Sequence, residues 1–210
     1  MSNHAYRILV LAGPSGSGKS TLISHLLEHC HDIYFSISTT TRPKRVGEVE
    51  GQHYYFVSQE VFERGIGNKQ FLEWAKVHGH YYGTSLEPIN KALKAGKLVL
   101  FDIDVQGHRS VKELYKKATS IFITTKNIHI LRQRLEQRRT DSCEVIERRL
   151  QTALQEIQEV ELFDYVLINE DLELSKKMVL EVAHTLGYKQ QMFPKEAFCE
   201  AWGGCMRDKG

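Results

Sequence analysis

The chain has 210 residues, 41% hydrophobic and 26% charged, with a formal net charge of +2. Such a composition excludes a disordered, collagenous or membrane-spanning chain and supplies no strong field for nucleic acid or an anionic membrane. At this length about 70% of the unfolded surface is buried on folding, enough for a core without disulfides or a structural metal.

The apolar run Ile8 to Ala12 near the start is too short to span a bilayer or serve as a signal-peptide core. Cys30, Cys143, Cys199 and Cys205 show no Cys-x-x-Cys spacing, so reduced thiols in a cytoplasmic protein are expected. None of the ten histidines is read as part of a metal-binding pair.

In chain order, Tyr6 to Leu11 reads as a buried strand, ended by Gly13 and Pro14, and Ser20 to His29 carries apolar residues at helical spacing. From Ser36 to about Ser85 the chain is rich in Thr, Tyr, Gly and charge, with short alternating stretches such as Tyr54 to Val57. An inserted α+β subdomain over 38–85 is expected there. Apolar runs at Leu98 to Ile103, Ser120 to Thr124 and Tyr165 to Ile168 alternate with helical patterns, the signature of a parallel sheet flanked by helices. The stretch 128–160 reads as two lid helices around a polar break at Arg139 to Cys143, with Asp141 and Glu144 at capping-box spacing. The expected organisation is a core of 1–37, 86–127 and 161–186, plus a C-terminal extension over 187–210. In that extension Phe198 and Trp202 share a helical face.

Between the first strand and helix lies Gly13-Pro14-Ser15-Gly16-Ser17-Gly18-Lys19-Ser20, which satisfies G-x-x-x-x-G-K-[ST]. Glycines let backbone N–H groups wrap a polyphosphate, and the following helix aims its positive end at the same anion. Lys19 suits the β- and γ-phosphates and the Ser20 hydroxyl suits Mg²⁺. Asp102 and Asp104 follow the run Leu98 to Phe101. The two-residue strand period places both on one side, near the end that faces the ligand crevice. Asp102 is the candidate Mg²⁺ carboxylate, with helix capping as its alternative role.

The insertion decides the second substrate. Its sequence Ser36-Ile37-Ser38 through Arg42-Pro43-Lys44-Arg45, Gly47-Glu48, Gly51 and Tyr54-x-Phe56-Val57 resembles the signature of guanylate kinases. Phe71-Leu72-Glu73-Trp74, Tyr82-Gly83-Thr84 and Asp102-x-Asp104-x-Gln106-Gly107 continue the resemblance in order, to about Leu186. The fold it implies is a P-loop NTPase α/β sheet flanked by helices, with an inserted nucleotide-monophosphate-binding subdomain and a helical lid. The implied reaction is phosphoryl transfer from MgATP to GMP.

The residues fit that chemistry. Pro43 favours an extended chain at Arg42, where a three-residue repeat turns Arg42 and Arg45 the same way, and two guanidinium groups suit a monophosphate. The resemblance adds Tyr54 and Tyr82 to that phosphate; the alternative for both is packing in a small core. A carboxylate at Glu73 pairs with the two parallel donors of guanine and repels adenine, which presents an acceptor. Ser38, Thr84 and Asp104 are assigned to the same base by the resemblance. Arg134, Arg138 and Arg149 match lid arginines that stabilise the transferring phosphoryl group, although a charged helix face is also commonly just solvated. Thr21 joins the ATP-binding loop, and Asn169 matches a position near the donor adenine. At Arg139 the chain departs from the family, which commonly has Gly there. Two other readings stand beside this one: a P-loop kinase with a different acceptor, and a silent domain that holds phosphopeptides. The intact Lys19-Ser20 pair speaks against the second.

Overall fold

The computed structural model describes residues 7–77, 79–137, 141–189 and 195–203. Strand β1 (Ile8–Ala12) leads through a loop into helix α1 (Lys19–His29), and β2 (Ile33–Phe35) follows. The chain then leaves for a second sheet built from β3 (Thr39–Thr40), β4 (Tyr55–Phe56), β5 (Phe71–Val77) and β6 (His80–Ser85), with α2 (Gln59–Gly67) between β4 and β5. It returns through α3 (Leu86–Lys94), β7 (Leu98–Asp102), α4 (Val105–Leu114) and β8 (Thr119–Thr124). Helices α5 (Ile128–Gln137) and α6 (Cys143–Glu156), a 3₁₀ turn at Ile157–Leu162, β9 (Tyr165–Ile168), α7 (Leu172–Thr185) and α8 (Lys195–Ala201) complete the described order.

The main sheet has the order β2-β7-β1-β8-β9, and every neighbouring pair is parallel. Parallel strands need covered faces, which explains why β1 is apolar at every position. The two-residue period sorts its side chains. Leu9 and Leu11 pack with Leu22, Ile23 and Leu26 of α1 and Val179 of α7, whereas Ile8 and Val10 pack with Ile89 and Leu93 of α3 and Val111 of α4. Strand order reverses around β1, so the crevice beyond the carboxyl ends of β1, β7 and β8 is where such a sheet receives ligands.

The small sheet has the order β4-β3-β6-β5 and is mostly antiparallel. Phe62 of α2 stacks on Phe71 and Tyr81, forming the aromatic core of this sheet. Arg138, Arg139, His78 and Cys205 lie outside the described residues.

Three local expectations change. The cap of α6 is Ser142, whose hydroxyl accepts from the Val145 N–H, not Asp141. Ser142 has the extended cap backbone, and Asp141 is engaged by Arg149. Asp104 is not a strand residue: β7 ends at Asp102, and Asp104 caps α4 by accepting from Gly107 N–H at 2.8 Å. Phe198 and Trp202, expected to pack as one face against the domain itself or a second subunit, meet with ring centroids 6.0 Å apart but remain 53% and 80% exposed, so the first of those packings is not made among the described residues. Cys30 and Cys143 are free thiols. Among the described residues no helix is long and apolar enough to cross a membrane.

Candidate active site

The loop after β1 turns through Gly13, Gly16 and Gly18, all with positive φ. Space, as well as conformation, demands glycine at two of these positions. A Cβ at Gly13 would stand 2.1 Å from the Ile123 carbonyl oxygen of β8, and one at Gly18 would stand 2.2 Å from the Asn169 amide nitrogen. Lys19 Nζ donates to the Gly13 and Pro14 carbonyls at 2.5 and 3.3 Å, which holds its charge at the mouth of the loop. Ser20 and Thr21 are exposed in the first turn of α1. Ser15 is exposed, whereas Pro14, Gly16 and Ser17 are buried within the loop.

The loop is braced from α5 and α6. Arg134 of α5 donates to the Ser17 carbonyl at 3.3 Å and to the Asn169 carbonyl at 2.7 Å, while the Asn169 amide donates to the Ser17 carbonyl at 2.8 Å. Arg149 of α6 reaches the Ser15 hydroxyl at 2.8 Å and the Asp141 carboxylate at 3.2 Å. Two of the three predicted lid arginines therefore meet the loop. The buried Asn169 ties β9 to it.

Asp102 pairs in register with Leu11, so the end of β7 stands beside the start of the loop. Its carboxyl opens into the cleft, yet the surrounding protein displaces enough water to push its pKa up, with Lys19 acting the other way. The under-compensated Asp102 carboxylate and the exposed Ser20 hydroxyl offer oxygen-only, hard donors of the kind that suit Mg²⁺.

A cavity of about 500 Å³ lies between the two sheets. Five of the eight residues predicted for the acceptor line it, namely Ser38, Glu73, Tyr82, Thr84 and Asp104, and Asp102 forms part of its wall. Thr84 Oγ1 donates to Glu73 Oε1 at 3.4 Å. Burial pushes the Glu73 carboxyl up, the neighbouring Asp104 adds to this, and the Thr84 hydrogen bond opposes it. The first turn of α4 approaches so closely that a Cβ on Gly107 would lie 3.0 Å from Glu73 Oε2. A larger cavity of about 670 Å³ lies behind the small sheet, lined by aromatic residues such as Tyr34, Tyr55, Phe62 and Phe71. It lacks converging carboxylates and does not adjoin Asp102 or the loop.

Arg42, Arg45 and Tyr54 lie outside that cavity lining. Arg42 donates to both Glu48 oxygens, at 2.6 and 3.1 Å, and sits 5.4 Å from the centroid of Tyr54 and 5.8 Å from that of Phe56. Tyr54 meets Tyr82 edge-on at 6.0 Å. The Arg45 backbone N–H also donates to Glu48, at 2.8 Å, while its side chain is exposed. The two arginines thus share Glu48 through different groups, in place of a simple parallel display.

Sequence reasoning missed three acidic partners. Glu48 is returned to the arginines by a turn in which Gly47 has φ 86°. Asp141 is held by Arg149 across the lid. Glu156 stands seven residues after Arg149, two helical turns on and on the same face. Burial raises its pKa, Lys19 lowers it and Asp104 raises it, so it looks into the same cleft. That seven-residue spacing was visible in the sequence; the Glu48 and Asp141 pairings depend on the fold.

The guanylate kinase family model matches residues 5–185. The chain belongs to the guanylate kinase family. A guanylate kinase of Helicobacter pylori strain J99 is 56% identical over 200 residues, covering 95% of this chain and 97% of its own length. One from Wolinella succinogenes is 50% identical over 196 residues, covering 93% and 91%. The crystal structure of guanylate kinase from Anaplasma phagocytophilum superposes with a TM-score of 0.66 at 34% identity, over 88% of this chain and 87% of that one. The match to the family model ends before the C-terminal helix α8.

Proposed function

We propose that this guanylate kinase transfers the γ-phosphoryl group of ATP to GMP, giving ADP and GDP, with the stretch 38–85 as the GMP-binding subdomain and 128–160 as the lid. The observation that carries the acceptor assignment is the pairing of Glu73 with Thr84 and Asp104 in a cavity whose wall continues to Asp102.

Ionised Glu73 accepts the two N–H donors on one edge of guanine; adenine offers an acceptor there and leaves the carboxylate unpaired. Thr84, Ser38 and Asp104 complete the base site. Arg42, Arg45, Tyr54 and Tyr82 bind the GMP phosphate, with Glu48 orienting Arg42. Gly13 to Thr21 wraps the ATP phosphates, Lys19 holds the β- and γ-phosphates, and Asn169 fixes the loop beneath the donor nucleotide.

A GMP phosphate oxygen attacks the γ-phosphorus in line, and the bond from that phosphorus to the β–γ bridging oxygen breaks, its electron pair leaving on ADP. The second ionisation of a phosphate monoester lies near pH 6, so the attacking oxygen is already anionic at neutral pH and needs no protein base. Lys19, Arg134, Arg138 and Arg149 stabilise the charge on the transferring group, and closure of the lid excludes water that would otherwise hydrolyse ATP. Ser20 and Asp102 would hold Mg²⁺, which supplies charge neutralisation on the β- and γ-oxygens. We place the reaction in the cytoplasm.

The test is ADP formation from MgATP by purified protein with GMP, AMP, UMP or no acceptor. Turnover dependent on GMP, with the others near background, is expected. Equal rates with AMP and GMP would refute the base site.

A further inference from the structure

The sequence contains His25-x-x-Glu28-His29, and in α1 the two histidines stand one helical turn apart with the glutamate on the same side. The expectation that no histidine pair has metal-ligand spacing is therefore wrong. Among the described residues, His25, Glu28 and His29 bring one ligand atom each to within 4.8 Å of one another. Their rings and carboxylate sit at the C-terminal end of α1, remote from the end that carries Lys19 and Ser20.

The hydrogen bonding of His29 prepares it as a ligand. Its Nδ1 lies 2.9 Å from the His25 carbonyl oxygen. A carbonyl only accepts, so Nδ1 carries the proton and the lone pair is left on Nε2. Donation of one ring N–H to a backbone carbonyl is the arrangement that orients metal-bound histidines elsewhere. The His25 ring lies 4.1 Å from that of His29, centroid to centroid, and Glu28 Oε2 lies 4.0 Å from His29 Nδ1, so its exposed side chain has to turn towards Nε2 to join the site. The last turn of α1 adds the negative end of the helix dipole, which favours a bound cation.

We propose that His25, His29 and Glu28 form a surface site for a borderline divalent transition ion of the Zn²⁺ or Ni²⁺ class, separate from the Mg²⁺ that accompanies ATP. Two imidazole nitrogens and one carboxylate match the preference of these ions, whereas Mg²⁺ prefers an all-oxygen octahedron. Ligands about 2.0–2.1 Å from a tetrahedral ion stand about 3.3 Å apart. Glu28 and His29 are both exposed, so small side-chain rotations draw the three atoms together. Water fills the remaining positions. An ion bridging one turn holds the end of α1 in its helical form and stabilises the folded chain by mass action.

The experiment is a ZnCl₂ titration of the tag-free, nucleotide-free full chain by calorimetry, with thermal melts in parallel and MgCl₂ as control. One Zn²⁺ per chain and a raised melting temperature are expected, with no shift from Mg²⁺. His25→Ala and His29→Ala should each weaken Zn²⁺ binding at least tenfold and abolish the melting shift, and Glu28→Gln should weaken it less. Retained MgATP and GMP turnover in the histidine variants shows that they are folded. The proposal is overturned if the native chain binds no Zn²⁺, if binding survives both histidine variants, or if Mg²⁺ binds equally well.

Discussion

Glu48 grips Arg42 through both carboxylate oxygens while accepting the backbone N–H of Arg45, so one acidic side chain sets the position of both basic residues assigned to the acceptor phosphate. The Arg42 guanidinium, backed by the Arg45 N–H, holds the Glu48 carboxyl down at about 2. The depressed value keeps the pair ionised at all working pH values; it is lost only as pH falls from about 4.5 through about 2. Replacing Glu48 by Gln should raise KM for GMP about tenfold and alter kcat much less, read from initial rates over a range of GMP. A change in kcat alone would contradict a positioning role.

In the proposed base site Glu73 must be ionised to receive guanine, and its folded pKa is raised above the ordinary 4.5, chiefly by burial and then by Asp104. On acidification it therefore takes up its proton earlier than a surface glutamate does. The expected result is a fall in kcat/KM for GMP on the acid side, beginning above pH 4.5. Glu73→Gln should remove the part of that limb due to Glu73, leaving the fall near pH 6 that protonation of the GMP phosphate imposes, lower kcat/KM for GMP by about 10² or more, and narrow the preference over AMP. A pH–rate series on both proteins with both acceptors measures all three effects.

Lys19 rests on the Gly13 and Pro14 carbonyls at the mouth of the loop. Lys19→Met should leave the melting temperature nearly unchanged and reduce kcat/KM by about 10³-fold, equivalent to about 4 kcal/mol of transition-state stabilisation. Near-native turnover would remove Lys19 from the phosphate site.

Asp141 anchors Arg149, and its second carboxylate oxygen is buried without a hydrogen-bond partner among the described residues. Asp141→Asn removes the charge that orients Arg149 but keeps the shape. We expect kcat to fall about three- to tenfold, with KM for GMP unchanged, in steady-state assays at saturating ATP. A change confined to KM for GMP would instead place Asp141 on the acceptor side.

His108 is 1% exposed, stacks on Phe163 with centroids 3.9 Å apart, and finds no hydrogen-bond partner for either ring nitrogen among the described residues. Burial pushes its pKa down from 6.5 to about 4, aided by Lys112. In that window the unfolded chain binds a proton that the folded chain refuses, so stability falls as pH drops from 6.5 towards 4, by at most about 3 kcal/mol. His108→Phe keeps the stack and should flatten this part of the stability curve, as read from urea unfolding at pH 7, 5.5 and 4.5.

Much of the fold was legible because burial writes a period into the sequence. A parallel strand covered on both faces must be apolar throughout, which made β1 and β7 visible within two residues of their ends, whereas β8 opens on Thr119-Ser120 and the edge strand β9 is mostly exposed, and both were legible only as short apolar runs. The phosphate loop was visible for a different reason: Gly13 and Gly18 admit no side chain, so their identity is fixed by backbone geometry and space. The start of α6 is ambiguous in the sequence because Asp141 and Ser142 are both good caps, and the choice between them rests on Arg149, a residue about two turns further along. The metal-like histidine pair was readable from spacing alone and was overlooked.

Sequence by itself determined the helix-flanked sheet, the phosphate loop and the family, since each depends on short-range spacing or on residue types that backbone geometry dictates. Tertiary structure alone decided which charges meet: Glu48 with Arg42, Asp141 with Arg149, and Glu73 with Asp104 beside Gly107. Such pairings are set by how turns and helices pack in three dimensions. Electrostatic attraction falls off over a few ångströms in the presence of water and salt, so the distance along the chain carries almost no information about it.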